Sequence, residues 1–292
     1  MKKSILPLGA VVVFAAGCGG GDTIEIGAQT YTETKLIAYM NEALIEAHTD
    51  LSADVTPDIS ASPMVISALE EEELDIGLLY SGEVFNNHFE VEETNDPEAV
   101  LQMAQEGFDE HFNFKWFDPL GFENTYIMTV RADLADEYGL ETVSDVEAVA
   151  DELSLGVDTT WLERDVDGYQ SFVDHYGFSF ADTNSMDINL VYSAVANEEV
   201  DIVLAYSTDP RLIEYDLVTL EDDQQFFPPF DASIVAKNET LEEYPELEEV
   251  LNTLTGMFDE QAITELSYEV DINNRSERDV AREYLEEQGL LD

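Results

Sequence analysis

Positive charge is what this chain has least of. It carries 11 Lys and Arg against 66 Asp and Glu, a formal net charge of −55 at pH 7. A protein that grips a phosphate backbone needs a cationic face, so nucleic-acid binding is excluded, and docking on anionic lipid is disfavoured on the same ground. The single cysteine, Cys18, permits neither an intramolecular disulfide nor a thiolate zinc site. Four histidines, His48, His88, His111 and His175, are dispersed, with no His-Glu-x-x-His, no Gly-x-Ser-x-Gly elbow and no phosphate loop. Asp165-x-Asp167-Gly168 has the start of a calcium loop but lacks acidic ligands at the right spacing beyond it. Acid pairs abound at this composition and none stands out as a glycosidase dyad. The expectation is therefore a protein that is not an enzyme and uses no cofactor or metal, with a secreted hydrolase as a remote alternative.

What is present is enough to fold. Apolar residues make up 45% of the chain and aromatics 10%, which separates it from acidic disordered tails and supports two domains. So large an acid excess points to a surface built for concentrated salt, where counterions screen self-repulsion. At the start, Lys2 and Lys3 precede an apolar run from Ile5 to Ala16 that is too short to span a bilayer. Ala15-Ala16-Gly17-Cys18 then resembles the lipobox of bacterial lipoproteins, which implies that residues 1–21 are signal peptide and tether, with Cys18 lipidated. That makes the protein extracytoplasmic, held at the cell membrane only through a lipid anchor.

Downstream, apolar strand-like runs alternate with amphipathic helical stretches, the pattern of an α/β fold with largely parallel sheets. An internal repeat adds to this. Residues Ser67 to Ser81 align without a gap on Ser193 to Ser207, nine of the fifteen pairs being identical. Each half opens with a strand ending in Gly-x-x-Thr and later runs helix, acidic turn, buried strand, then Tyr-Ser. Ligands of open α/β sheets bind beyond the carboxyl ends of strands, so two such lobes face to face would aim Tyr80 and Tyr206 into one cleft. The alternative is that both rings close hydrophobic cores.

Several segments, in order, resemble those of the substrate-binding lipoproteins of ABC importers for quaternary ammonium osmoprotectants, meaning glycine betaine, choline and carnitine. They are Ile26 to Glu33, Asp75 to Gly82, Gly121 to Tyr126, Arg164 to Gly168, Ala205 to Asp209 and Asp222 to Phe230. The resemblance implies a two-lobed periplasmic-binding-protein fold of type II. Each lobe would be a mixed, mostly parallel sheet flanked by helices, and two hinge crossovers would join them. Residues 22–127 and 230–292 would form lobe 1 and residues 128–229 lobe 2, with Pro228 and Pro229 in a crossover where neither a helix nor a central strand fits. The protein would work as a monomer, handing its solute to a permease driven by an ATPase.

The resemblance also implies a cationic headgroup site made of Tyr80, Tyr126, Tyr206 and Phe230. A trimethylammonium group has no N–H to donate, so its recognition relies on the negative faces of aromatic rings. Arg164 falls where the family binds a carboxylate, and Gln29 is either a neutral donor to ligand oxygens or a plain turn residue. Glu83 stands where relatives more often show threonine; beside the rings it would attract an ammonium and repel a betaine carboxylate, favouring choline. Asn124, next to Tyr126, is expected to orient backbone or ring hydroxyls. An amino-acid receptor of the same fold is the alternative, with Glu83 for a primary ammonium and Arg164 for its carboxylate.

Overall fold

The computed structural model describes residues 23–291, apart from positions 87, 93 and 165–167. The signal segment with Cys18 and the Asp165-x-Asp167 fragment lie outside the described residues. The first part of the chain runs β1 (Thr23–Gln29), α1 (Thr32–His48), β2 (Ser52–Ile59), α2 (Ser62–Glu70), β3 (Ile76–Tyr80), α3 (Pro97–Phe112) and β4 (Phe114–Trp116). The middle part opens with β5 (Tyr126–Arg131), α4 (Ala132–Tyr138), β6 (Ser154–Asp158), α5 (Thr159–Glu163) and α6 (Tyr169–Tyr176). It closes with β7 (Asp182–Met186), α7 (Ile188–Ala196), β8 (Ile202–Tyr206), α8 (Arg211–Glu214) and β9 (Leu217–Thr219). The chain returns through β10 (Ala232–Lys237) to α9 (Asn238–Glu243), α10 (Glu246–Asn252), α11 (Glu260–Asp271) and α12 (Glu277–Glu287).

These strands form two sheets of the same design, ordered β2-β1-β3-β10-β4 and β7-β6-β8-β5-β9. The fold is thus α/β with two lobes. β3 and β8 read as unbroken apolar runs because helices cover both faces of each sheet. In the first lobe α1 packs Leu36, Ile37, Met40, Leu44 and Ile45 on one face with α10 to α12, while Val65, Leu69, Val100 and Phe108 cover the other.

Parallel pairing is less dominant than expected. In each sheet three strands are parallel, β2-β1-β3 and β7-β6-β8, but β10 and β5 are antiparallel to both of their neighbours. The reason lies in the crossovers. β3 and β8 run toward the cleft, whereas β10 and β5 arrive from the opposite lobe and run away from it. β5 begins at Tyr126, which already pairs with Tyr206, two residues ahead of the boundary expected after residue 127.

The internal repeat is a repeat of structural tasks. Glu72 and Glu198, at aligned positions in the acidic turns, both adopt left-handed backbone, with φ 61° and 60°. Asp75 accepts the Glu25 N–H at 3.0 Å and Asp201 accepts the Ser154 N–H at 2.8 Å, each tying the turn to the start of the first strand of its half. The serine after each tyrosine pins a crossover. Ser81 Oγ accepts the Asp231 N–H at 3.0 Å and Ser207 Oγ accepts the Thr125 N–H at 3.1 Å. The repeated Tyr-Ser therefore delivers a ring and an anchor for the incoming strand side by side.

Candidate ligand-binding site

The strand order places the site. β1 and β3 end at the first lobe's reversal of strand order, and β6 and β8 end at the second's, where open α/β sheets hold ligands. Between these ends lies a cavity of about 260 Å³. All eight residues expected from the sequence line it: Gln29, Tyr80, Glu83, Asn124, Tyr126, Arg164, Tyr206 and Phe230. Sequence reasoning missed Tyr31, Ser62, Thr125 and Phe227, which line it too. Tyr31 sits inside the Ile26 to Glu33 segment and Phe227 inside Phe-Phe-Pro-Pro-Phe, so the signal was there but no role had been attached to it.

The four rings come two from each side. Tyr126 and Tyr206 are direct cross-strand partners, and their rings stack with centroids 5.2 Å apart and planes 17° off parallel. A cation contacts a ring at up to about 6 Å from its centroid, so nothing as wide as trimethylammonium fits between these two. The pair forms one wall. Tyr80 ends β3, and Phe230, on the second crossover, packs against the first lobe's core. Burial, and then the neighbouring Tyr206, push the Tyr126 phenol up from its ordinary pKa.

The polar residues are positioned more unevenly. Glu83 is 6% exposed in the short turn after β3, where its Oε2 accepts from Asn86 Nδ2 at 2.9 Å and lies 3.5 Å from His88 Nε2. It is a buried cavity acid. Arg164 follows α5 on the exposed rim, its guanidinium carbon 5.9 Å from the Tyr126 ring centroid. Gln29 departs from the expected donor role. Its Nε2 donates to Ser62 Oγ at 3.0 Å and to the Leu78 carbonyl at 3.3 Å, so the donors are spent inside lobe 1.

Asn124 leads to a residue given no role by sequence reasoning. Its Nδ2 donates to Glu33 Oε1 at 2.5 Å, and the Tyr80 hydroxyl donates to the same oxygen at 3.0 Å. Asn124 thus orients a ring hydroxyl only indirectly, through a shared carboxylate. Glu33, in the first turn of α1, is buried, and burial pushes its carboxyl above the usual range while its own backbone N–H, and then Asn124 and Tyr80, pull it back. Burial and the Glu33 charge push the Tyr80 phenol well up. Among the described residues no group of three or more His, Cys, Asp or Glu side chains is placed to hold a metal ion.

Comparisons with known proteins agree on one family. The family described as the substrate binding domain of ABC-type glycine betaine transport systems matches residues 22–287. The carnitine transport binding protein OpuCC of Listeria monocytogenes is 36% identical over 305 residues, covering 100% of this chain and 99% of that protein. A glycine-betaine-binding protein of Pseudomonas aeruginosa is 29% identical over 299 residues, covering 98% and 94%. A crystal structure titled glycine betaine/carnitine/choline ABC transporter superposes with a TM-score of 0.88 at 36% identity, over 92% of this chain and 100% of that one.

Proposed function

The chain belongs to the family of substrate binding domains of ABC-type glycine betaine transport systems, and from that premise we propose that its cleft captures a quaternary ammonium solute and releases it to a permease. It is the extracytoplasmic solute-binding component of an ABC importer and not an enzyme. Among the described residues no helix is long and apolar enough to cross a membrane. A lipidated Cys18 as the anchor, and a monomer as the working unit, complete the proposal.

One observation carries it: six aromatic rings, Tyr31, Tyr80, Tyr126, Tyr206, Phe227 and Phe230, line one cavity together with a buried acid, Glu83, and a rim base, Arg164. A methylated ammonium needs ring faces rather than acceptors, each worth about 0.5–2 kcal/mol when desolvated. Three walls of this kind, with burial of the methyl groups at about 25 cal/mol per Å², suffice for an affinity around micromolar, about −8 kcal/mol. The positions of the charges set an orientation. The ammonium sits beside Glu83, Tyr80 and Phe230, and a carboxylate, where the solute has one, reaches Arg164 at the rim. Closure of residues 128–229, with Tyr126 and Ile127 added, against the remainder would trap it.

Isothermal titration of the chain from residue 19 onward, in high salt, tests this with choline, glycine betaine, carnitine and unmethylated glycine side by side. The expected result is binding of at least one methylated solute and none of glycine. Choline alone would assign Glu83 the dominant role, and betaine binding would assign it to Arg164. Failure of all three methylated solutes, or equal binding of glycine, would reject the reading.

A further inference from the structure

Tyr80 is the cavity ring whose hydroxyl is turned away into the protein, and what it meets there is a carboxylate. Glu33 does not line the cavity, yet its Oε1 accepts both the Tyr80 hydroxyl at 3.0 Å and the Asn124 amide at 2.5 Å. A full burial of such an acid is costly unless it is paired or hydrogen-bonded. Here it is held by two donors and by its place in the first turn of the 17-residue α1, where the helix dipole favours negative charge. Glu33 and its two partners belong to three different segments: the start of α1, the end of β3 and the first crossover.

We propose that Glu33 is a positioning residue for cation recognition, acting through Tyr80, whose ring it orients and whose π face it makes more negative by accepting the phenolic hydrogen bond. This rests on the quaternary ammonium reading of the cavity. The attraction between a cation and a ring follows the ring's negative face. A phenol donating to a carboxylate carries more electron density than one donating to water or to a neutral amide, and hydrogen-bonded groups polarise one another in a low-dielectric interior. The Asn124 amide, sharing Oε1, fixes the carboxylate's rotation so that the Tyr80 hydroxyl finds it in a constant place. The site thus gains from a second buried acid that never touches the solute, whereas Glu83 acts on it directly.

The test uses tetramethylammonium, which has neither hydroxyl nor carboxylate and so reports on the rings and the local charge alone. Its Kd is measured by titration in high salt for the wild type, E33Q, Y80F and the double variant, with thermal melts confirming that each is folded. E33Q keeps the shape of Glu33 and Y80F keeps the ring. The expected loss is about tenfold for E33Q, the size of one desolvated cation–π contact, with no further loss when E33Q is added to Y80F. Unchanged affinity in E33Q, or full additivity of the two changes, overturns the proposal. A ligand-free readout separates it from the function it rests on: in protein labelled with 13C at tyrosine Cζ, E33Q should move the Tyr80 resonance. If E33Q moves that resonance but the wild type binds no methylated ammonium, the cation-site reading fails and with it the proposed role, leaving only the contact; no movement would refute the contact itself.

Discussion

Gly82 shows how closely the site is fitted at the scale of single atoms. A Cβ placed there would lie 2.6 Å from Cε1 and Cζ of the Phe230 ring and 2.8 Å from Cδ1, inside the distance any real contact allows. The ring therefore rests flat on a bare backbone, and the Tyr-Ser-Gly turn after β3 is what brings it there. G82A should displace Phe230 and weaken binding of a methylated ammonium by about tenfold, the loss of one ring contact. It should also lower the melting temperature by a few degrees, as overpacking costs about 1–3 kcal/mol. Adding F230L should restore the melting temperature without restoring affinity. A G82A protein with wild-type affinity would mean that Phe230 does not contribute. The resemblance located eight of the lining residues, but not what their atoms do. Gln29 spends its donors on Ser62 and Leu78, and Glu33, which ends the Ile26 to Glu33 segment, had no role attached because one acid among 66 does not reveal its burial. Only burial at a specific depth makes it informative.

The crossovers connect the two lobes, and they carry an unusual charge. Glu123 and Asp231 face each other in an isolated antiparallel bridge between the two segments. Burial, and then the charges of Asp231, Glu260 and Asp222, push the Glu123 carboxyl up to about 7, against the partial relief of the Phe230 N–H that it accepts. A carboxyl raised in the folded state adds stability that is complete below its unfolded pKa, near 4.5, and is lost as pH rises through about 7. The wild type should therefore lose melting temperature between pH 5 and pH 8 by more than E123Q does, and E123Q should be the more stable at pH 8. Parallel melting curves across that window would exclude the shift. Pro228 and Pro229 marked one expected crossover, whereas the start of β5 at Tyr126 had no such mark. A strand boundary depends on where Tyr126 finds a partner, Tyr206, and pairing across 80 positions leaves no local trace. The repeat, by contrast, was legible because the same turn, aspartate and serine do the same work in both lobes.

Among the described residues the few bases each lie against an acid or a ring, and the acids outnumber them several-fold. Lys35, Lys115, Arg131, Arg211, Lys237, Arg275, Arg278 and Arg282 each make an ion pair with Asp or Glu, and Arg164 lies against the ring of Tyr126 at the cavity rim. With 66 acids against 11 bases and a net charge of −55, most carboxylates have no base to pair with one to one. The screening length is about 10 Å at 0.1 M salt and about 3 Å at 1 M, so repulsion between neighbours several ångströms apart is strong in the first case and largely removed in the second. Exposed ion pairs contribute little, at most about 1 kcal/mol each, and their weakening by salt cannot offset that gain. The melting temperature should therefore climb by roughly 10 °C between 0.1 M and 2 M NaCl, an increase equivalent to a few kcal/mol for a domain of this size. Sodium chloride rather than sulfate is the salt to use, because sulfate also strengthens apolar burial by exclusion from the surface and would raise the melting temperature of a neutral protein as well. A melting temperature indifferent to NaCl would show that the acids are far enough apart, or paired closely enough, for self-repulsion not to govern stability. The same field acts on the solute: a strongly negative protein concentrates cations near its cleft over distances that salt shortens, so choline binding should weaken with ionic strength more steeply than binding of net-neutral glycine betaine.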